Sequence, residues 1–326
     1  MVKSWDDANK KRGGDFNFDM FRLYVDGNYN NVIVSTQIRL YSSDFGGILI
    51  HHAWMGYKFK NSDEIQLGIN KVPFGITPYA SHNWFFNMHY YFGFEDDYDL
   101  GIKYVRERDK LKLYAAYYRT SELPPHIFAR YSYDVVDTHN EINQLNFKVL
   151  YDLSMVELGA SIQLGQLEEV ATGDKGDRYA FAIHAESNIN NFNIMLQSIF
   201  YGFSPTGPIT DRVIMAAYDA PYAVASEGVI YSIGIRYHLP LELGPLTGID
   251  FYNDYAYLNK TNSSFYDSQM NVLGAGVTFG PIYTYIDWAS GINHSWLGPD
   301  YDNSFAEGVA DNKWHSRFNI NFGYYF

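Results

Sequence analysis

Cysteine is absent from the 326 residues, which removes disulfide frameworks, thiolate zinc ligands and thiol nucleophiles together. No run of about 18 apolar residues occurs, so no segment can cross a bilayer as a helix. Positive charge is in deficit: 24 Lys and Arg stand against 37 Asp and Glu, a formal net charge of −13. A nucleic-acid partner requires a basic face, and that class is excluded. Long helical periodicity is missing throughout. The opening MVKSWDDANKKRGG has no apolar core of the kind a secretory signal needs, which gives the expectation of a mature form whose signal peptide lies outside this chain. Neither G-x-S-x-G nor H-E-x-x-H occurs, so two strong catalytic signatures are missing as well.

What the chain has is aromatic side chains in alternation with polar ones. Aromatics make up 18% of it, with Tyr 30 and Phe 23, while only 19% is charged and mean hydropathy is −0.27. In the last ten residues Phe318, Ile320, Phe322, Tyr324 and Phe326 share one face of a strand, opposite Arg317, Asn319, Asn321, Gly323 and Tyr325. The same period of two recurs at Leu111–Tyr118, Gln144–Tyr151, Val156–Gly165, Phe192–Phe200 and Val229–His238. One face is apolar each time, and the other carries charge and glycine. A dry sandwich core would not accept that second face, whereas a wet interior would. The expectation is an all-β chain, a transmembrane antiparallel β-barrel, in which each strand needs only about 9 to 11 residues and total hydropathy stays modest.

Connections sort by length. Short turns at 28–31, 61–64, 107–110, 152–154, 188–191 and 280–281 alternate with long polar loops near 76–98, 120–140, 165–177, 203–226, 258–267 and 291–312, the asymmetry expected between the two ends of such a barrel. About fifteen strands can be counted from Asp15 onward, but single-chain bacterial barrels close with an even number. Parity therefore predicts about 16, with a partial first strand at Met1–Trp5 followed by an external loop over residues 6–14. The whole of 1–326 reads as one domain, with 76–98 as an aromatic, inward-folded constriction loop.

The segment from Asp19 to Gly75 resembles the phosphate-selective porin O and P family of outer-membrane porins. Phe21-Arg22-Leu23 and Gly27 match its arginine-bearing early strand, and Leu67-Gly68 with Lys71-Val72-Pro73-Phe74-Gly75 match its second motif. Ile69-Asn70, Tyr24 and Asp26 depart from the pattern. The dense basic run of the family's namesakes is not visible, so phosphate selectivity is not carried over. The resemblance implies a Gram-negative bacterial outer-membrane location among lipid and lipopolysaccharide, assembly as a homotrimer, and ion transport or other passive diffusion of small hydrophilic solutes, with anions or sugars leading. It implies no cofactor, no metal and no catalytic residue.

Alternation assigns side chains to the interior. The basic set is Arg22, Arg39, Lys58, Lys103, Lys112, Lys148, Arg236 and Arg317; the acidic set is Asp26, Glu157, Glu186, Asp250, Asp254 and Asp287. From the loop, His82, Asn83, Asn87, His89, Glu95 and Asp96 are candidates for the constriction. Opposite charges on separate walls would orient dipolar solutes, and a ladder of one sign would select ions; for each charge a cross-strand partner is the plainer reading. His51-His52 should point to opposite faces of a strand and not chelate together. Glu95, Asp96, Asp97 and Asp99 read as a solvated acidic loop rather than a cation site. Two alternatives stay open: a barrel enzyme using His238, His294 or His315 with an aspartate, and a soluble carbohydrate-binding β-protein with Trp54, Trp84, Trp288, Trp296 and Trp314 as sugar platforms.

Overall fold

The computed structural model describes residues 13–14 and 16–326. Among them the strands are, in chain order, β1 (Met20–Tyr29), β2 (Val32–Tyr41), β3 (Ile48–Lys58), β4 (Glu64–Lys71), β5 (Tyr98–Arg108), β6 (Leu111–Ser121), β7 (Asp134–Val135), β8 (His139–Asp152) and β9 (Val156–Glu169). There follow β10 (Lys175–Ile189), β11 (Phe192–Phe203), β12 (Arg212–Ala217), β13 (Ala220–Ala225), β14 (Glu227–Leu243), β15 (Leu246–Lys260), β16 (Ser268–Phe279), β17 (Ile282–Ile292) and β18 (His315–Tyr324). Fifteen of these form one sheet in sequence order, and β13, β12 and β7 form a separate three-stranded sheet. Among the described residues no helix is long and apolar enough to cross a membrane.

Alternation explains the large sheet. On β10 and β11, Arg178, His184, Asn193 and Gln197 are buried on the inner face while Phe181, Ile183, Leu196 and Phe200 are exposed on the outer one. On β18, Phe318, Ile320 and Phe322 remain 49%, 48% and 66% exposed. So large an apolar outer surface is costly in water and favourable against hydrocarbon, at about 25 cal/mol per Å². Tight turns alternate with the long connections. Asn30, Asp109, Asn190, Gly244 and Gly280 each open a two-residue turn at positive φ, the backbone that hairpins between twisted strands require.

The edges of the sheet come together without a ladder. Fifteen strands in antiparallel succession leave β1 and β18 running the same way. Side chains on and just beyond them meet: Asn321 Nδ2 of β18 donates to Asp19 Oδ2, just before β1, at 3.1 Å, and the rings of Phe21 on β1 and Phe326, just after β18, stack 6.1 Å apart. The sixteenth strand expected at Met1–Trp5 lies outside the described residues, as does nearly all of the loop expected at 6–14.

Several expectations change. Residues 165–177 are not a long loop, because β9 continues to Glu169 and β10 begins at Lys175; their ladder pairs Gly165 with Arg178 and Glu168 with Lys175. A turn at Gly244-Pro245, missed in the sequence because Pro240 interrupts the alternation, divides β14 from β15. The connections at 122–138 and 204–226 supply the small sheet. The apolar core lies inside the curved wall. Segment 72–97 contributes Phe74, Phe85, Met88, Tyr90, Tyr91, Phe92 and Phe94 to it, the small sheet contributes Val135, Met215 and Tyr222, and the last long connection contributes Trp296 and Phe305. The interior at the long-connection end therefore holds a packed aromatic mass and is not simply open to water. Trp84 and Trp296 belong to that interior and Trp54 sits on an inner-face position of β3, leaving Trp288 and Trp314 as outward, half-exposed indoles.

Candidate pore-lining site

Pro73 has no N–H to give the β4–β5 ladder, and the chain leaves the wall just there. Val72 N donates to Asp97 O at 2.9 Å, closing the base of segment 72–97. The segment then crosses the inner face. Gly75 N donates to Ser161 Oγ on β9 at 3.2 Å, and Ile76 N to Gln197 Oε1 on β11 at 2.6 Å. Lys148 Nζ on β8 donates to Thr77 Oγ1 at 2.8 Å. Farther round, Asp254 on β15 accepts His82 N at 2.8 Å and Asn83 Nδ2 at 2.7 Å, and its other oxygen lies 2.8 Å from His82 Nδ1. Asp287 on β17 accepts Trp84 N at 3.1 Å and the Tyr252 hydroxyl at 2.6 Å. Room for the His82–Asp254 pair comes from Gly234, where a Cβ would stand 2.5 Å from Asp254 Oδ1.

The loop candidates separate by environment. Asn87 is buried and donates to Ala80 O at 3.3 Å. His89 is fully buried with neither ring nitrogen hydrogen-bonded, and burial lowers its pKa to about 3, so it stays neutral. Glu95 accepts Ala80 N at 2.9 Å and Ser81 Oγ at 3.2 Å; burial, with Asp96 and Asp254 adding to it, raises its pKa to about 8. Asp96 is held well below the usual carboxylate range despite its burial by Lys71, 2.7 Å away, with His51 and Arg39 assisting. Glu95, Asp96, Asp97 and Asp99 are all under 5% exposed. The expectation of a solvated acidic loop is therefore corrected: the aromatic mass covers them.

The wall charges occupy inner positions of their strands. Arg39 is buried with its guanidinium 4.1 Å from the Tyr131 ring centre, and Arg22 stands opposite it in register. Lys103 Nζ donates to Lys71 O at 2.7 Å. Lys112 pairs with Glu157 at 2.7 Å. Lys58 lies opposite Glu64 at the short-turn end, Arg317 faces the Phe85 ring at 5.9 Å, and Arg236 is 3.9 Å from Asp250. Asp250 also lies 2.8 Å from His238 Nδ1. Asp26 accepts the Ser35 hydroxyl at 2.6 Å and Glu186 the Asn193 amide at 2.9 Å. Two groups emerge. Lys71, Lys103 and Lys148 gather on β4, β5 and β8, whereas Asp250, Asp254 and Asp287 lie half the strand order away on β15 and β17. Lys71 as an ion-pair partner, Arg130 and Arg178 were missed in the sequence. Alternation on β10 could have found Arg178; nothing local marks Arg130, which comes from a connection.

His51 and His52 do not point apart. The register between β2 and β3 skips His51, with Gln37 opposite His52 and Ile38 opposite Ile50. That bulge places one extra residue on the same face, and the two Nδ1 atoms lie 2.7 Å apart. His52 Nε2 is also 2.9 Å from Ser35 Oγ, but Ser35 donates its proton to Asp26. A Ser-His-acid relay needs the acid on the histidine instead. His294 is fully buried against Tyr91 and Phe305 rather than beside a carboxylate.

No family model matches the sequence, and no curated protein matches it. Solved structures share its fold. The outer membrane channel DcaP of Acinetobacter baumannii aligns with a TM-score of 0.53 at 12% identity, over 92% of this chain and 82% of that one. The anion-selective porin from Comamonas acidovorans aligns at 0.56 and 14% identity, over 93% and 88%. OmpF of Salmonella typhi, in complex with daunomycin, aligns at 0.60 and 12% identity, over 92% and 88%. The chain is thus similar in fold to outer-membrane porins.

Proposed function

We propose that this protein is a diffusion channel of the bacterial outer membrane, passing small hydrophilic solutes through an interior narrowed by segment 72–97. One observation carries the reading: an apolar outer face and a charged inner face share one curved wall, and the segment is hydrogen-bonded across that inner face from β8 to β17. Every strand of that wall except the two at its edges is paired on both sides, as hydrocarbon demands of the backbone.

Anions are the favoured solutes. Lys103 and Lys148 donate to a carbonyl and a hydroxyl and form no ion pair among the described residues; buried beside the segment, they would act on an anion through the field of that wall rather than by contact. The fold shared with an anion-selective porin and the Lys71–Gly75 motif support the same reading. Asp254 and Asp287 on the other wall, bonded to hydrogen-bond donors of the segment, add a transverse field that would align dipolar sugars. For the homotrimer implied by the resemblance, a shallow apolar trough over Ile102, Ala115, Leu145 and Ile162 offers a seat on the outer face. The test is conductance in planar bilayers under a salt gradient. Stepwise openings with a reversal potential on the anion side are expected, and Lys103→Glu with Lys148→Glu should move it toward cations. Absence of steps from folded protein would refute the channel.

A further inference from the structure

Where segment 72–97 rejoins the wall, the charges do not balance. Asp97, Asp99 on β5 and Asp134 on β7 are 4%, 1% and 1% exposed, and each offers an oxygen such that all three lie within 4.8 Å of one another. Two guanidiniums stand nearby, both already engaged. Arg130 holds Asp134 Oδ2 at 2.8 Å and lies 4.0 Å from Glu122, while Arg178 pairs with Glu141 and donates to Gln144 Oε1 at 2.5 Å. Five carboxyl groups (Asp97, Asp99, Glu122, Asp134, Glu141) against two arginines would, if all were ionised, leave 5 − 2, an excess of three negative charges in a water-poor place.

A second observation concerns the aim of the oxygens. No side chain donates to Asp97, and Asp99 Oδ1 has no partner, while Asp134 shares a side-chain hydrogen bond with Glu122. The backbone donor to Asp97, Tyr98 N, is shared with Ser132 Oγ, 3.0 Å away. The remaining partners are few: Asp99 Oδ2 accepts Gln144 Nε2 at 3.1 Å, and Asp134 Oδ2 accepts Arg130 Nη1. One oxygen from each of the three buried carboxylates thus lies close to the other two. Leaving them so costs several kcal/mol per ion.

We propose that Asp97, Asp99 and Asp134 bind a calcium ion that ties segment 72–97 and β7 to the wall at β5. A separation of up to 4.8 Å is twice a calcium–oxygen distance of about 2.4 Å, and the ion prefers such all-oxygen, carboxylate-rich surroundings. Magnesium demands a tighter octahedron, and the set holds no nitrogen or sulfur to draw zinc or copper. The inference stands apart from the transport reading, since it concerns how the inner segments are anchored.

The experiment uses the full-length protein in detergent micelles after chelator treatment, with folding scored by heat-modifiable gel mobility. Terbium emission sensitised by tyrosine, with Tyr118 beside Asp97 and Asp99, should rise saturably and be displaced by calcium. Calcium should also raise the unfolding temperature. Asp97→Asn should weaken calcium by at least about tenfold and abolish the temperature shift; Asp99→Asn serves if Asp97→Asn does not fold. Wild-type protein with no calcium-displaceable emission, or both variants binding as wild type does, would overturn the proposal. A channel that conducts but binds no calcium defeats this inference alone, and one that binds calcium but does not conduct defeats the transport reading alone.

Discussion

At the scale of single residues, two carboxylates make opposite use of the same interior. Asp96 keeps its charge because Lys71 stands 2.7 Å away, whereas Glu95 has neutral donors only and burial lifts its pKa to about 8. A raised carboxyl contributes stability that is present below its ordinary value of 4.5 and is lost as pH climbs through about 8. Segment 72–97 should therefore loosen as pH passes that upper value, read as a rise and noisier openings in single-channel conductance, and Glu95→Gln should remove the pH dependence. Asp254 is a second lever. It accepts from His82 N, His82 Nδ1 and Asn83, and hydrogen bonds to a charged group are worth about 1.5–3 kcal/mol each. Asp254→Ala should release the middle of the segment, increase conductance, and leave barrel assembly on gels unchanged. The burial of these groups could not be read locally: EDDYD is acidic in any window, and only aromatic side chains distant in sequence make it dry.

At the scale of elements, the strands were legible because a period of two is a local property. Phe192–Phe200 and Val229–His238 put the same residues outside in the structure as in the sequence. Parity failed where the backbone breaks its own rhythm. The bulge at His51 turned two adjacent imidazoles to one face, and a bulge follows from how the neighbouring strand pairs rather than from the two residues themselves. The strand β9 was cut short where a long polar loop was expected from residue 165, yet its ladder with β10 runs on to Glu168. The alternation makes its own prediction. Leu196→Arg, on the outer face, should cost about 2–4 kcal/mol if it meets the middle of a bilayer, whereas Gln197→Arg on the inner face should be tolerated far better. Urea-dependent refolding into lipid vesicles measures both, and equal costs would remove hydrocarbon from the outer face.

At the scale of the whole molecule, charge distribution and filling matter more than composition. The net −13 conceals a basic group on β4, β5 and β8 facing an acidic one on β15 and β17, so reversal potential should follow Lys103 and Lys148 and be insensitive to neutralising exposed loop acids such as Asp311 at ordinary salt, where screening acts over about 8 to 10 Å. By itself the sequence determined the wall: alternation specifies which side chain faces out, positive-φ residues in two-residue turns specify where it reverses, and both are settled within a few residues. Tertiary structure decided what fills the wall. Segment 72–97, the sheet of β7, β12 and β13, and the connection bearing Trp296 come from separate parts of the chain, and the burial they impose on Glu95, Asp97, Asp99 and Asp134 exists only once they pack together, because desolvation is a property of the assembled surroundings and not of any one segment.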